Sequence, residues 1–208
     1  AAVEDFLAGD SRVVNYIPCA ASSATVVTPS YSTTAYVEVM ASDEIGKVVD
    51  LFDYKSGDPI TMGDEGVYID QKLSELLKVS VGDTFFLDGD VRGDVTVAGI
   101  YEHYTGHFIY MTPDYYGNAL HADGEPNAYL LNFTSDDTDT CNAIFEKLLD
   151  MSGVATTSRM RDTQDTYMHS MERVDFVVVI IILAAAALAM VVLFLSLIHI
   201  SEPTRHLR

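Results

Sequence analysis

The longest run of apolar residues lies near the end of the chain. Residues 176–195 read FVVVIIILAAAALAMVVLFL and carry no charge. A helix of this length measures about 30 Å, which matches the hydrocarbon core of a bilayer. The pattern therefore predicts a transmembrane helix from Phe176 to Leu195. A buried core helix is the alternative, and it is disfavoured because the rest of the chain has too few apolar elements to surround it. A signal peptide is excluded because the run follows a folded block.

The same helix is expected to begin before the membrane. Asp162 or Thr163 is suitable as an N-cap, and no Gly or Pro interrupts residues 161–195. Residues at i, i+4 and i+7 would share one face of this segment. They are Tyr167, Met171 and Val174. We therefore predict one continuous helix whose first part, 162–175, is a stalk outside the bilayer. A separate short helix ending near Arg173 is the alternative.

Strand and helix patterns alternate irregularly before the stalk. Alternating or β-branched stretches predict strands within 13–39 and at 66–69, 84–87, 94–101, 107–111, 127–133 and 154–158. Helical spacing predicts helices at 1–11, 70–77, 113–120 and 139–151, and residues 53–66 form a turn-rich loop. This order predicts an α+β domain with mixed sheets over residues 1–161.

The charge of the chain is concentrated in this domain. Twelve Lys and Arg stand against 31 Asp and Glu, which gives a formal net charge of -19 at pH 7. Nucleic acid is excluded as a partner, because its binding depends on basic side chains that neutralise phosphates. Cys19 and Cys141 are too few for a disulfide scaffold. We expect two buried thiols, and a bridge between them is the alternative.

No pattern in the chain predicts a catalytic, cofactor or metal site. The sequence lacks a Gly-rich Lys loop, a Gly-x-Ser-x-Gly elbow and a His-Glu-x-x-His pair. His103 and His107, with Glu102, would share a face only in a helix, and Thr105 and Gly106 interrupt any helix there. The acidic residues of the turn-rich loop lack the spacing of a calcium loop, so we expect a solvated loop. They are Asp53, Asp58, Asp64 and Glu65.

Six aromatic residues cluster in sequence between residues 101 and 116. A surface that faces a ligand is one interpretation of this run. Alternation through residues 107–110 favours instead a strand with one buried face. We therefore assign these side chains to the core: Tyr101, Tyr104, Phe108, Tyr110, Tyr115 and Tyr116.

Four segments together resemble a known family. Residues 66–87 read GVYIDQKLSELLKVSVGDTFFL, 95–116 read VTVAGIYEHYTGHFIYMTPDYY and 126–133 read PNAYLLNF, and the apolar segment FVVVIIILAAAALAMVVLF follows. Their order resembles the extracytoplasmic domain and following transmembrane helix of an FtsX-like (MacB-type) ABC transporter permease. These segments support a fold and carry no catalytic group.

The resemblance implies a non-enzymatic subunit of a bacterial plasma-membrane complex, with residues 1–175 extracytoplasmic. ATP would be hydrolysed by a separate cytoplasmic ABC ATPase, and the stalk would transmit the resulting helix motion to the outer domain. The lipid bilayer and the remaining permease helices, or a second permease half, would be the other partners. A single-pass surface protein with a ligand- or peptide-binding outer domain and no ATPase is the alternative. An extracellular enzyme is a more distant one.

The C-terminal residues depart from the family pattern. The string LSLIHISEPTR at 195–205 resembles the translation of a transposon-type sequencing adapter. We therefore expect residues 196–208 to be a non-native tail, and we assign no function to His199, Glu202, Arg205 or Arg208. The chain also begins without Met, and we expect a fragment truncated at both ends.

Overall fold

The computed structural model describes residues 2–28, 31–103, 106–135 and 137–201, without the side chains of 160–175 and 198–201. The chain divides into two compact units, Ala1–Ala155 and Thr156–Arg208. The first unit is a mixed sheet with helices, as the sequence predicts. The second contains a long apolar helix.

Over its described residues, the first unit contains seven strands and four helices. The strands are β1 (Val13–Val27), β2 (Ser32–Val39), β3 (Val67–Asp70), β4 (Thr84–Gly89), β5 (Arg92–Tyr101), β6 (Phe108–Met111) and β7 (Ala128–Phe133). The helices are α1 (Ala2–Gly9), α2 (Gln71–Leu77), α3 (Pro113–Leu120) and α4 (Thr138–Leu149), with a 3-10 turn at Ile45–Lys47. α5 (Met160–Ser201) belongs to the second unit.

Six of the strands close into a ring. The strand order is β2-β6-β3-β5-β4-β1, and β1 also pairs with β2. β1 therefore has neighbours on both edges at residues 24–27, where it is antiparallel to β2 and to β4. The β2–β6 and β3–β5 pairs are parallel. The result is a small barrel whose interior is narrow enough to be filled by side chains.

Alternate residues of the six strands point into the barrel and form its core. Paired positions bury together: Ala24 faces Ala35, and Ile69 faces Ile109. α2 and α3 contribute Leu73, Leu77, Tyr116 and Leu120 to the same cluster. The strand members of the cluster are Ala24, Val26, Ala35, Val37, Val39, Val67, Ile69, Phe85, Leu87, Val95, Val97, Ile100, Ile109 and Met111.

The N-terminal half of β1 leaves the barrel and pairs with β7 as a two-stranded ribbon. This register runs from Val13, opposite Phe133, to Cys19, opposite Ala128. α1 and α4 bury Leu7, Ile144 and Leu148 with this ribbon. A further core lies on the outer wall of the barrel, where the loop 41–66 covers Tyr68, Tyr101 and Tyr110 with Ile45, Leu51 and Met62.

Three helix starts have the side-chain caps that their sequences favour. Asp70 accepts a hydrogen bond from the backbone N–H of Leu73, as predicted for the helix that it begins. Thr112 accepts from Tyr115 N–H before Pro113, and Asp137 accepts from Thr140 N–H. Each oxygen satisfies one of the N–H groups that a helix start leaves unpaired.

Three secondary-structure expectations, one of them an alternative, differ from the structure. Residues 154–158 form no strand, because no neighbouring strand pairs with them. The long helix begins at Met160, so Asp162 and Thr163 lie within it and are not its N-cap. It continues past Arg173 without a break and ends at Ser201, which contradicts the alternative of a separate short helix. The proposed bounds 1–161, 162–175, 176–195 and 196–208 stay a prediction.

Candidate functional site

α5 contains a segment long and apolar enough to cross a membrane. Phe176–Leu197 is 22 residues long with mean hydropathy 3.3, and none of it is buried. At 1.5 Å per residue the segment measures about 33 Å. Large apolar side chains are exposed along its length, from Phe176 at 68% to Leu197 at 63%. An aqueous surface rarely carries a patch of this size, whereas lipid tails would cover it.

The residues singled out in this helix lie as follows. Phe176 is the first residue of the apolar segment, and Leu195 lies two residues before its end at Leu197. Tyr167, Met171 and Val174 are within α5, but their side chains lie outside the described residues. Their common face stays a prediction from the spacing.

In the first unit, Asp70 forms a buried polar contact at the end of β3. Its side chain is fully buried, and His107 Nδ1 lies 3.2 Å from Oδ2 and 3.3 Å from Oδ1. Oδ1 also accepts the hydrogen bond from Leu73 N–H at 2.8 Å. The Asp70 carboxylate therefore caps α2 and also contacts His107, the residue before β6. The sequence predicted the cap but not the contact with His107, because the loop that brings His107 back has no sequence signature.

His103 lies among aromatic rings near this contact. Its ring centroid is 6.1 Å from that of Tyr101 and 5.4 Å from that of Phe108. Burial lowers the pKa of His103, which favours the neutral imidazole. Residues 102, 103 and 107 are not helical, as the sequence predicts. Within the described ranges, no group of three or more His, Cys, Asp or Glu side chains could hold a metal ion.

Glu38 is a half-buried carboxylate on the outer face of β2. It lies between Ala21 of β1 and Tyr110 of β6 in the strand register. Burial raises its pKa to about 7. In the part of the chain that the structure describes, no hydrogen bond or ion pair engages this carboxylate. Glu38 has no local sequence signature, because its neighbours Ala21 and Tyr110 are distant along the chain.

The aromatic run between residues 101 and 116 belongs mainly to the core, as predicted. Tyr101, Tyr110 and Tyr116 are buried, and the Tyr101 hydroxyl donates to the carbonyl oxygen of Phe108 at 2.9 Å. Phe108 and Tyr115 are half-buried, and the Tyr115 hydroxyl accepts a hydrogen bond from Thr96 N–H on β5. Tyr104 lies outside the described residues.

The acidic loop is more ordered than a solvated loop. Asp53 accepts from the N–H groups of Lys55 and Ser56, which lowers its pKa. Asp64 accepts from the Thr112 hydroxyl at 2.6 Å, and Glu65 accepts from the Tyr68 hydroxyl at 3.1 Å. Asp64 and Glu65 thus attach the loop to the barrel, which corrects the expectation that these two carboxylates are solvated, whereas the hydrogen bonds of Asp53 lie within the loop.

Both thiols are buried and free. Cys19 lies in the outer-wall core, and burial raises its pKa to about 12. Cys141 lies on α4, where its Sγ is 3.6 Å from the carbonyl oxygen of Ser135. The expectation of two buried thiols is confirmed, and the alternative of a bridge is not.

The solved structures to which the chain is similar include two extracytoplasmic domains. No family model matches the chain, and no curated protein matches it. The chain is similar to the extracellular domain of the noncanonic ABC-type transporter YknZ from Gram-positive bacteria, with TM-score 0.45 and 18% identity over 68% of this chain and 75% of that one. It is also similar to the periplasmic region of MacB from Actinobacillus actinomycetemcomitans, with TM-score 0.44 and 18% identity over 81% of this chain and 80% of that one.

Proposed function

We propose that this chain is the outer domain and one transmembrane helix of an ABC transporter permease subunit. The observation that carries the proposal is α5, a single helix of 42 residues that contains the 22-residue apolar segment. The order of sequence segments, from GVYIDQKLSELL to the apolar helix, supports the same assignment. The chain would lie in a bacterial plasma membrane with residues 1–175 outside.

The function proposed for α5 is mechanical. Its first sixteen residues, 160–175, extend about 24 Å before the apolar segment begins. An α-helix has hydrogen bonds along its whole length, and sharp bends require Pro, Gly or an inserted group. Residues 160–201 contain no Gly or Pro. A displacement of the membrane-embedded part would therefore move the stalk by nearly the same distance, because the helix between them bends little.

The partners follow from this function. A separate cytoplasmic ABC ATPase supplies the energy, so this chain is not itself an enzyme. Further permease helices, or a second permease half, complete the membrane part. The bilayer covers the exposed side chains of residues 176–197, whose burial in lipid is favourable by roughly 25 cal/mol for each Å² of apolar surface.

Interruption of the stalk tests the proposal. The full-length protein is reconstituted in proteoliposomes with an ABC ATPase from the same organism, and two glycines are inserted after Arg173. Two alanines at the same place are the matched control, because they change length and phase equally but preserve helix stiffness. We expect the glycine insertion to retain ATP hydrolysis and lose transport, relative to the alanine insertion.

Two results would contradict the proposal. Equal transport per ATP in both insertions would show that stiffness of α5 is not required. A full-length protein that forms no complex with any ABC ATPase of the same organism, and stimulates none, would favour the single-pass ligand-binding protein.

A further inference from the structure

Glu38 combines an ionisable carboxylate with a site that gives it no counter-charge. A carboxylate taken from water without a partner is costly, and buried charges in proteins are usually paired. Among the described residues, none donates a hydrogen bond or forms an ion pair to Glu38. Burial is the cause of its raised pKa, with no cation acting against it. The ionised carboxylate therefore lacks the positively charged partner that buried charges usually have.

The surroundings of Glu38 on the barrel wall differ on its two sides. On the β6 side, Phe108 lies opposite Tyr36 and Tyr110 lies opposite Glu38. On the β1 side, the positions opposite Tyr36 and Glu38 are Ser23 and Ala21. The side chains opposite on β1 are therefore small, and those on β6 are aromatic rings that stack on each other. We call these residues the Glu38 notch: Ala21, Ser23, Tyr36, Glu38 and Phe108.

The aromatic rings reach solvent at Tyr36. Its ring stacks on Phe108 with centroids 5.3 Å apart and planes at 29°. Tyr36 is nevertheless 55% exposed, so the ring face away from Phe108 is open to solvent. Aromatic faces attract cations through the negative charge above the ring. An open aromatic face beside an unpaired carboxylate is the arrangement that binds a positively charged organic group.

We propose that the Glu38 notch binds an alkylammonium group. The ammonium would donate to the Glu38 carboxylate, and its methylene groups would lie against the open face of the Tyr36 ring. The charge of the chain, -19 at pH 7, attracts cations toward this surface from a distance. The inference does not depend on the transporter assignment, because it rests on the barrel wall alone.

The test uses the full chain in detergent micelles at pH 8, with alanine methyl groups labelled for NMR. The Ala21 methyl lies opposite Glu38 in the strand register and reports on the notch. n-Butylammonium is the first probe, and n-butanol is its uncharged match. Nα-acetyl-lysine N-methylamide is the second probe, which distinguishes a free amine from a lysine side chain in a peptide. We expect both amines to shift the Ala21 signal in a saturable manner, and n-butanol to leave it unshifted.

Three variants locate the site. Glu38→Gln removes the charge with little change of shape and should weaken the binding of n-butylammonium about tenfold, as expected for a charge-assisted contact. Tyr36→Leu keeps the side chain apolar but removes the ring, and should weaken binding about threefold. Glu146→Gln, an exposed acid on α4, should leave the affinity unchanged. Far-UV circular dichroism of each variant confirms that the fold is intact.

Several outcomes would overturn the inference. They are an unshifted Ala21 signal with both amines, an equal response to n-butanol, or equal affinity in the wild type and in folded Glu38→Gln. A loss of affinity in Glu146→Gln that matches the loss in Glu38→Gln would also overturn it, because the binding would then be a general attraction to an acidic surface.

Discussion

His107 Nδ1 lies 3.2 Å from Oδ2 of Asp70, a carboxylate that is fully shielded from solvent and also caps α2. The side chain of His107 is only partly exposed, so its partner cannot easily be replaced by water. The pair joins the end of β3 to the start of β6, and it therefore fixes two strand ends of the barrel at once. Removal of one partner from a buried polar pair leaves the other unsatisfied.

Asp70→Ala should lower the free energy of unfolding by about 2 to 4 kcal/mol, because it removes a cap and leaves His107 without its partner. Asp137→Ala is the matched control, since Asp137 is an exposed N-cap on α4 and should cost about 1 kcal/mol. Urea denaturation followed by circular dichroism measures both. Equal losses would show that the contact with His107 contributes nothing beyond the cap.

Stability should depend on pH through Glu38. Its pKa is about 7 in the folded protein against 4.5 for the ordinary group, so the folded state holds the proton more firmly. The stabilisation that comes from protonated Glu38 is therefore fully present below pH 4.5 and is lost as the pH rises through 7. The titratable neighbours on β1, β5 and β6 are Cys19, Tyr101 and Tyr110, and their raised pKa values keep them neutral in this range.

Glu38→Gln should therefore stabilise the protein at pH 8 by about 1 to 3 kcal/mol and have little effect at pH 4.5. Thermal unfolding at the two pH values measures the difference. A stabilisation that is the same at both values would mean that ionisation of Glu38 is not the cause.

Gly66 has no room for a side chain. A Cβ on Gly66 would lie 2.4 Å from the backbone carbonyl oxygen of Thr96, which can move only with β5. Gly66→Ala should therefore destabilise the first unit by about 1 to 3 kcal/mol. Gly46→Ala is the control, because a Cβ there meets nothing within 4 Å. Similar unfolding midpoints for the two variants would contradict this packing argument.

The apolar segment of α5 should fail to insert when charges replace its central residues. Ile181→Arg together with Leu188→Arg should raise the cost of insertion by about 6 kcal/mol. The chain would then be extracted from membranes by alkaline carbonate, whereas the wild type and the Ile181→Leu, Leu188→Ile pair stay in the pellet. Retention of the double arginine variant would contradict a spanning position.

The sequence was informative where local signals act. Asp70 before a helical stretch and the apolar run after Asp175 both have short-range physical signatures, and both elements are present. Closure of the barrel depends on β1 pairing with β2 and β4 at the same residues, and no local pattern specifies such a partnership. The predicted strand at 154–158 shows the converse, since β-propensity without a neighbour forms no strand.

The candidate site was harder to predict for the same reason. Glu38 becomes unusual only when Ala21 and Tyr110 lie on either side of it, and these residues are 17 and 72 positions away along the chain. His107 could be connected with Asp70 only once β3 and β6 were known to be adjacent. Residues brought together by strand pairing cannot be recognised from spacing.

β1 belongs to two structures at once. Residues 13–19 pair with β7, and residues 20–27 continue without interruption into the barrel wall. At about 3.3 Å per residue, the fifteen residues of β1 form one strand roughly 50 Å long. A force on α4 or β7 is therefore transmitted to the barrel through the backbone of β1 and through the hydrogen bonds between β1 and β7. We therefore expect the barrel and the β1–β7 ribbon to move as one rigid body, because a hinge between them would have to break the hydrogen bonds of β1.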